Sequence, residues 1–347
     1  MSQKRWIKSF LILSTISISF VVSINYIVDP FNVFNSGFLE HSAQHNERYL
    51  KIKHLEKNHS KYNSYIFGSS RIGTTDPKFI EKYIPGSKFY NMTVASANLY
   101  DYIMHLKYML KNKYEIKNLY LQIDIRDMER YGQSDSDYQK RLHPYVTGDS
   151  LNKFYLKYLF GVFPRNIKEK ITHNIDYQER GHYFLDTSGM WTSTENENKL
   201  LKNCEEYVKN EKTFHIKVKR NKRLTNASKI SQAIKNIVEL CEKNNINLYV
   251  FTTPHNHKMM DSFMEDDYKK FLDLIANETN FYDFSGYNSI TNNNCNYYEK
   301  SHYRPLVAEI IAAKVFNAED IKVPEDFGVY IKPENIEDHI KALKDSF

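Results

Sequence analysis

The sequence predicts an α/β protein: a three-layer α/β/α domain with a parallel sheet, one N-terminal transmembrane helix and a helical insertion. Three observations lead there. Short apolar runs at 64–68, 119–125 and 246–252 alternate with stretches of helical periodicity. Such alternation implies a parallel sheet whose strands are joined by crossover helices. The rhythm breaks between Arg126 and Thr225 and then resumes, and residues 9–28 carry no charge at all.

Taken in order, residues 9–28 follow Lys4, Arg5 and Lys8. As a helix they reach about 30 Å, enough for one bilayer crossing. A cleaved signal peptide has the same outline, but no alanine precedes Ala43 and no small-residue cleavage site follows the run. An uncleaved anchor is therefore expected. The basic flank before it puts the N-terminus in the cytoplasm and the remainder outside the cytoplasmic membrane. The expected organisation is an anchor over 1–30 and a charged helical stalk over 31–60. The α/β domain then takes 61–125 and 226–317, an insertion 126–225, and a tail with a short helix 318–347.

Within the domain, 64–68 is the first strand. Asp76 and Pro77 open a helix, as cap and first-turn residue. Residues 88–92 form a strand. Residues 98–111 form a helix with Leu99, Ile103, Leu106 and Leu110 on one face, and 119–125 a buried strand. Residues 227–244 form a helix on Ile230, Ala233, Ile234, Ile237, Val238 and Cys241. A strand over 246–252, a helix over 261–277, a short strand over 281–284 and a helix over 305–316 complete the domain. The insertion is too long for a loop and needs helices of its own.

Two short motifs carry chemistry. Gly68-Ser69-Ser70-Arg71 follows the first strand, and Glu299-Lys300-Ser301-His302-Tyr303-Arg304-Pro305 precedes the last domain helix. Ligands and nucleophiles in parallel sheets gather at the carboxyl ends of strands. A serine nucleophile needs a base, and the base needs an orienting carboxylate. Ser70, His302 and Glu299 fit those three roles. Ser69 is expected to point inward or to cap. Backbone amides of the turn after the strand suit a developing oxyanion.

The two motifs resemble the blocks of the SGNH/GDSL hydrolase superfamily. They are closest to its bacterial membrane-anchored members with Gly-Ser-Ser in place of Gly-Asp-Ser, such as the D-alanyl-transfer proteins and those encoded beside membrane-bound O-acyltransferases. Asp29-Pro30-Phe31 after the apolar run belongs to the same likeness. The resemblance covers the anchor and the sheet core, and implies a flavodoxin-like fold with Ser70 as nucleophile and His302 as base. It implies a membrane-anchored extracytoplasmic serine esterase or O-acyltransferase acting on cell-envelope polysaccharide, partnered by a multispanning acyltransferase. The alternative is a non-catalytic module that binds glycan or scaffolds the acyltransferase. Glu299 stands where the family has aspartate, and its longer side chain can still reach the imidazole. Two other departures favour the alternative. Residues 91–96 lack the glycine whose amide joins the oxyanion hole, leaving the Ser96 amide beside that of Ser70. Asp124 stands near the place of an asparagine donor. Asn91, Arg71 and His143 are weaker candidates for contacting substrate.

Composition narrows the rest. The chain of 347 residues has a net charge of only +6, with lysines dispersed among acids, which argues against a nucleic-acid partner. No cofactor motif occurs. Cys204, Cys241 and Cys295 have no metal-ligand spacing, and their odd number argues against a disulfide framework. His255-Asn256-His257 resembles a metal pair without a third ligand, so surface histidines are expected there and no metal site.

Overall fold

The computed structural model describes residues 3–39, 45–133, 137–175, 184–185, 187–192 and 203–343. Its helices are α1 (Gln3–Val28), α2 (Glu47–Asn58), α3 (Lys78–Glu81), α4 (Leu99–Lys111), α5 (Pro144–Thr147), α6 (Leu151–Phe160), α7 (Pro164–Ile175), α8 (Cys204–Asn210), α9 (Ala227–Lys243), α10 (His257–Met260), α11 (Glu265–Ala276), α12 (Pro305–Val315) and α13 (Ile336–Leu343). Its strands are β1 (Ser64–Phe67), β2 (Phe89–Asn91), β3 (Asn118–Ile123), the two-residue β4 (Phe184–Leu185) and β5 (Trp191–Thr192), β6 (Asn247–Thr252), β7 (Phe281–Asp283), β8 (Tyr297–Glu299), β9 (His302–Tyr303) and β10 (Val329–Ile331). The chain divides into two units, Met1–Glu56 with Ser134–Phe184, and Lys57–Gln133 with Leu185–Phe347.

In the first unit α1 is long and apolar enough to cross a membrane, and most of it is exposed. Its last turns pack against α6 and α7. The chain then turns sharply. The Asp29 carboxylate accepts hydrogen bonds from the amides of Val33, Phe34 and Asn35 at 2.8, 3.0 and 2.8 Å. Asp29, Asn32 and Asn35 adopt left-handed backbone at φ 44°, 54° and 56°, a conformation their short polar side chains tolerate. The expected stalk is not one. Tyr49 of α2 is buried, its ring stacked on Phe154 at 5.2 Å and on His143 at 4.9 Å. With Phe31, Val33, Tyr158 and Phe163 these aromatics form the unit's core. The charged look of α2 concealed a buried face of Tyr49, Ile52 and Leu55, because its six charged residues outnumber its four apolar ones.

The second unit holds a six-stranded sheet in the order β10-β7-β6-β3-β1-β2. β2, β1, β3, β6 and β7 run parallel, and β10 lies antiparallel on β7. The direction of winding reverses between β1 and β3, which leaves a crevice at their carboxyl ends. β1 and β3 are buried at every residue, as strands covered on both faces are. Ile66, Tyr120 and Phe251 share one apolar cluster with Val307 and Ile311 of α12. α9 packs on α4 and α11 through the face its periodicity marked out, Ile230, Ala233, Ile234, Ile237 and Cys241. α4 starts in a capping box: Asn98 accepts from the Tyr100 amide and Asp101 from the Asn98 amide. Pro305 takes the first turn of α12.

The stretch 126–225 is not one insertion. Its residues 137–175 belong to the first unit and 203–225 to the second. The odd cysteine count also misled: Cys204 and Cys295 are joined as a disulfide, and only Cys241 is free. Burial pushes the Cys241 thiol up to about 12, so it stays protonated. The edge strand β10 was not expected either: Val329-Tyr330-Ile331 follows Pro324 and Gly328 in the stretch expected to be a tail.

Candidate active site

β1 delivers the Gly68-Ser69-Ser70 turn. Gly68 follows it where space runs out: a Cβ there would lie 2.3 Å from the Ile72 side chain and 3.1 Å from that of Gln122. Ser69 is buried and Ser70 starts a short 3₁₀ turn. The Ser70 Oγ lies 2.8 Å from His302 Nε2. On the other side of the ring, His302 Nδ1 is hydrogen-bonded to Glu299 Oε1. Glu299 Oε2 accepts from the Ser301 amide at 3.0 Å. Burial raises the Glu299 pKa, but His302, Arg71 and the Ser301 amide outweigh it and hold the carboxyl below its ordinary range. The three residues expected to form a triad therefore converge in series.

The histidine and the glutamate sit on the small antiparallel hairpin of β8 and β9, in which Glu299 opposes His302. Three ties from residues 204–213 brace that hairpin: the Cys204–Cys295 disulfide just before β8, the Tyr207 hydroxyl on the Tyr298 carbonyl at 2.5 Å, and the Thr213 hydroxyl accepting from the Lys300 amide at 3.2 Å. Gln122 of β3 reaches the Tyr303 hydroxyl at 3.2 Å from beneath.

Beside the triad lies a buried polar cluster that the sequence did not disclose. Arg71 Nη1 is 2.6 Å from Asp124 Oδ2, and Arg71 Nη2 donates to the Ser301 hydroxyl at 2.6 Å. Ser69, turned inward as expected, donates to Asp124 at 3.1 Å and accepts from Arg71 at 3.2 Å. His255 Nε2 is 2.9 Å from Asp124 Oδ1. Burial raises the Asp124 pKa, but Arg71, His255 and the Arg126 amide hold it well below the ordinary range. His255 is wholly buried, not a surface residue, and burial lowers it to about 4 against the pull of Asp124. It thus stays neutral and donates to an ionised aspartate. One Arg71 side chain joins the turn after β1, the end of β3 and the hairpin that carries His302. A signal was available: Asp124 and His255 both follow carboxyl ends of parallel strands, where Ser70 was sought.

The weaker candidates fall elsewhere. Arg71 is buried within this cluster, so its guanidinium holds the site together. Asn91 is fully buried, its amide donating to the carbonyls of Ile72, Gly73 and Thr75 and accepting from Thr93. It fastens the loop behind Ser70. His143 belongs to the first unit, where it is buried, stacks on Tyr49 and accepts from the Tyr145 amide to start α5. Ser96 adopts left-handed backbone at φ 53°, the conformation glycine supplies most easily. Neither the Ser70 nor the Ser96 amide N–H is engaged in a hydrogen bond among the described residues. Also among the described residues, no three metal-ligating side chains cluster.

No protein-family model and no curated protein matches this chain.

Proposed function

We propose that the chain is a membrane-anchored, extracytoplasmic serine esterase or O-acyltransferase with a three-layer fold of the SGNH type, acting on acylated cell-envelope polysaccharide. The observation that carries this reading is the series Ser70 Oγ, His302, Glu299, with 2.8 Å between the hydroxyl and the ring nitrogen. His302 Nε2 takes the Ser70 proton as Oγ attacks the acyl carbonyl, and Glu299 stabilises the resulting imidazolium. The tetrahedral intermediate collapses as its bond to the leaving oxygen breaks, and His302 returns the proton to that oxygen. Water or a sugar hydroxyl then attacks the acyl-Ser70 ester, and the same histidine carries the proton in reverse. The amides of Ser70 and Ser96 are the proposed oxyanion donors, since an ionised Asp124 donates nothing.

Two further observations support the placement. The Cys204–Cys295 disulfide suits an oxidising compartment outside the cytoplasm. Asn25, inside the apolar run, donates to the carbonyls of Leu159 and Gly161. That tie supports a retained anchor over a removed leader. A multispanning acyltransferase is the partner the family likeness suggests.

The test is labelling with a fluorophosphonate serine probe. The full chain should label, and Ser70→Ala should not. Equal labelling of both, or of neither, would sink the catalytic reading and leave the glycan-binding or scaffold module in its place.

A further inference from the structure

We infer that the corner joining α6 to α7 is a second membrane contact, seated in the interfacial layer of the bilayer face from which α1 emerges. The inference rests on the reading of α1 as a retained span. α6 buries Phe154 and Tyr158 in the core of the first unit. Its outward side carries large apolar residues as well, among Asn152, Lys153 and Lys157: Leu156 is 50% exposed, Phe160 54%, and Val162 just beyond it 80%. A helix facing water carries polar residues on that side.

The depth of this corner is fixed by a polar contact. Asn25 Nδ2 donates to the Leu159 and Gly161 carbonyls, both at 2.8 Å. Asn25 precedes the end of α1 by less than one turn, on the order of 4–5 Å of rise. The end of α6 therefore lies level with the last uncharged turn of α1. The final carbonyls of a helix have no partner within it. In water they need none from the protein, whereas in a bilayer no solvent is present to pair them. An asparagine within an otherwise apolar turn supplies that partner, and its own amide is satisfied by the same contact.

The flanking charge agrees. Lys153 and Lys157 are exposed one helical turn apart on α6, and no acidic residue lies between Leu151 and Lys168. Lysines beside outward Leu and Phe are the composition of helices that lie in the interface, stems in the acyl boundary and ammonium groups at the phosphates.

The full chain in lipid nanodiscs tests this, with an environment-sensitive fluorophore on a single introduced cysteine. Native Cys204 and Cys295 are bridged and Cys241 is buried, so they do not compete for label. The sites are F160C and V162C at the corner, I27C on α1, and K235C on the exposed side of α9. Labels at 160 and 162 should be quenched by doxyl lipid to within about twofold of the label at 27, and shielded from aqueous iodide. The label at 235 should show the reverse. If labels at 160 and 162 follow 235 while 27 stays lipid-quenched, the seat is wrong and the anchor stands. Shielding of 160 and 162 from both quenchers would mean a protein covers the corner, and also overturns the proposal. Absence of lipid quenching at 27 removes the anchor reading itself, and the inference with it.

Discussion

Ser70, His302 and Glu299 touch one another in a row, so they should behave as one device. Ser70→Ala and His302→Ala should each abolish esterase activity and probe labelling, and the double variant should be little worse than either. Glu299→Gln keeps the shape but loses the charge that stabilises imidazolium. Its loss should be smaller than either, at most about 10⁴-fold. Hydrolysis of a simple activated ester by the purified chain measures all four, and additive losses in the double variant would argue against a shared proton path. The neighbouring His255 makes a separate prediction about pH. Its pKa falls from 6.5 to about 4 because burial disfavours its charge more than Asp124 favours it. The unfolded chain therefore binds a proton below 6.5 that the folded chain refuses until about 4. Stability from this group is full above the upper value and drains away as pH falls toward the lower one. Urea midpoints at pH 7 and pH 4.5 should drop more for the wild type than for His255→Asn. An equal drop in both would remove His255 as the cause.

The turn after β1 is an element with no slack. Gly68 sits where a side chain would strike Ile72, itself 1% exposed, so neither can move aside. Gly68→Ala should cost about 1–3 kcal/mol of overpacking, read as a lower urea midpoint. The same shift displaces Ser70 from His302, so labelling should slow beyond what partial unfolding accounts for. Normal labelling at a lowered midpoint would mean the turn tolerates the shift. At this scale the strands and long helices were legible from short-range signals. β1 and β3 announce themselves as apolar runs. α4 and α9 do so by spacing.

At the scale of the second unit, the hairpin bearing Glu299 and His302 owes its position to a covalent bond across 91 residues. Closing a loop of that length removes unfolded-state entropy worth at most about 4–5 kcal/mol. Cys204→Ser, or reduction of the wild type, should lower the denaturation midpoint. Either should also slow labelling of Ser70, because the hairpin then keeps only non-covalent ties, the hydrogen bonds of Tyr207, Thr213, Gln122 and Arg71. A reduced protein with unchanged midpoint and unchanged labelling rate would assign the bridge no role in the site.

By itself the sequence determined the apolar span, the parallel α/β character and the three residues of the proposed triad. Each of these depends on neighbours in the chain: an uncharged run, a period of 3.6, a Gly-Ser-Ser turn after a strand, a carboxylate three residues before a histidine. Only the tertiary structure decided that Ser70 meets His302, since that contact closes 232 residues of chain. It alone decided that Arg71, Asp124 and His255 form one polar cluster, because their meeting depends on β1, β3 and β6 lying side by side in the sheet. Cys204 lies in the stretch where the α/β rhythm breaks and Cys295 between a short strand and the last domain helix, and nothing local in either sequence marks the other as its partner. Pairings between distant segments are set by strand order and packing, which local periodicity does not encode.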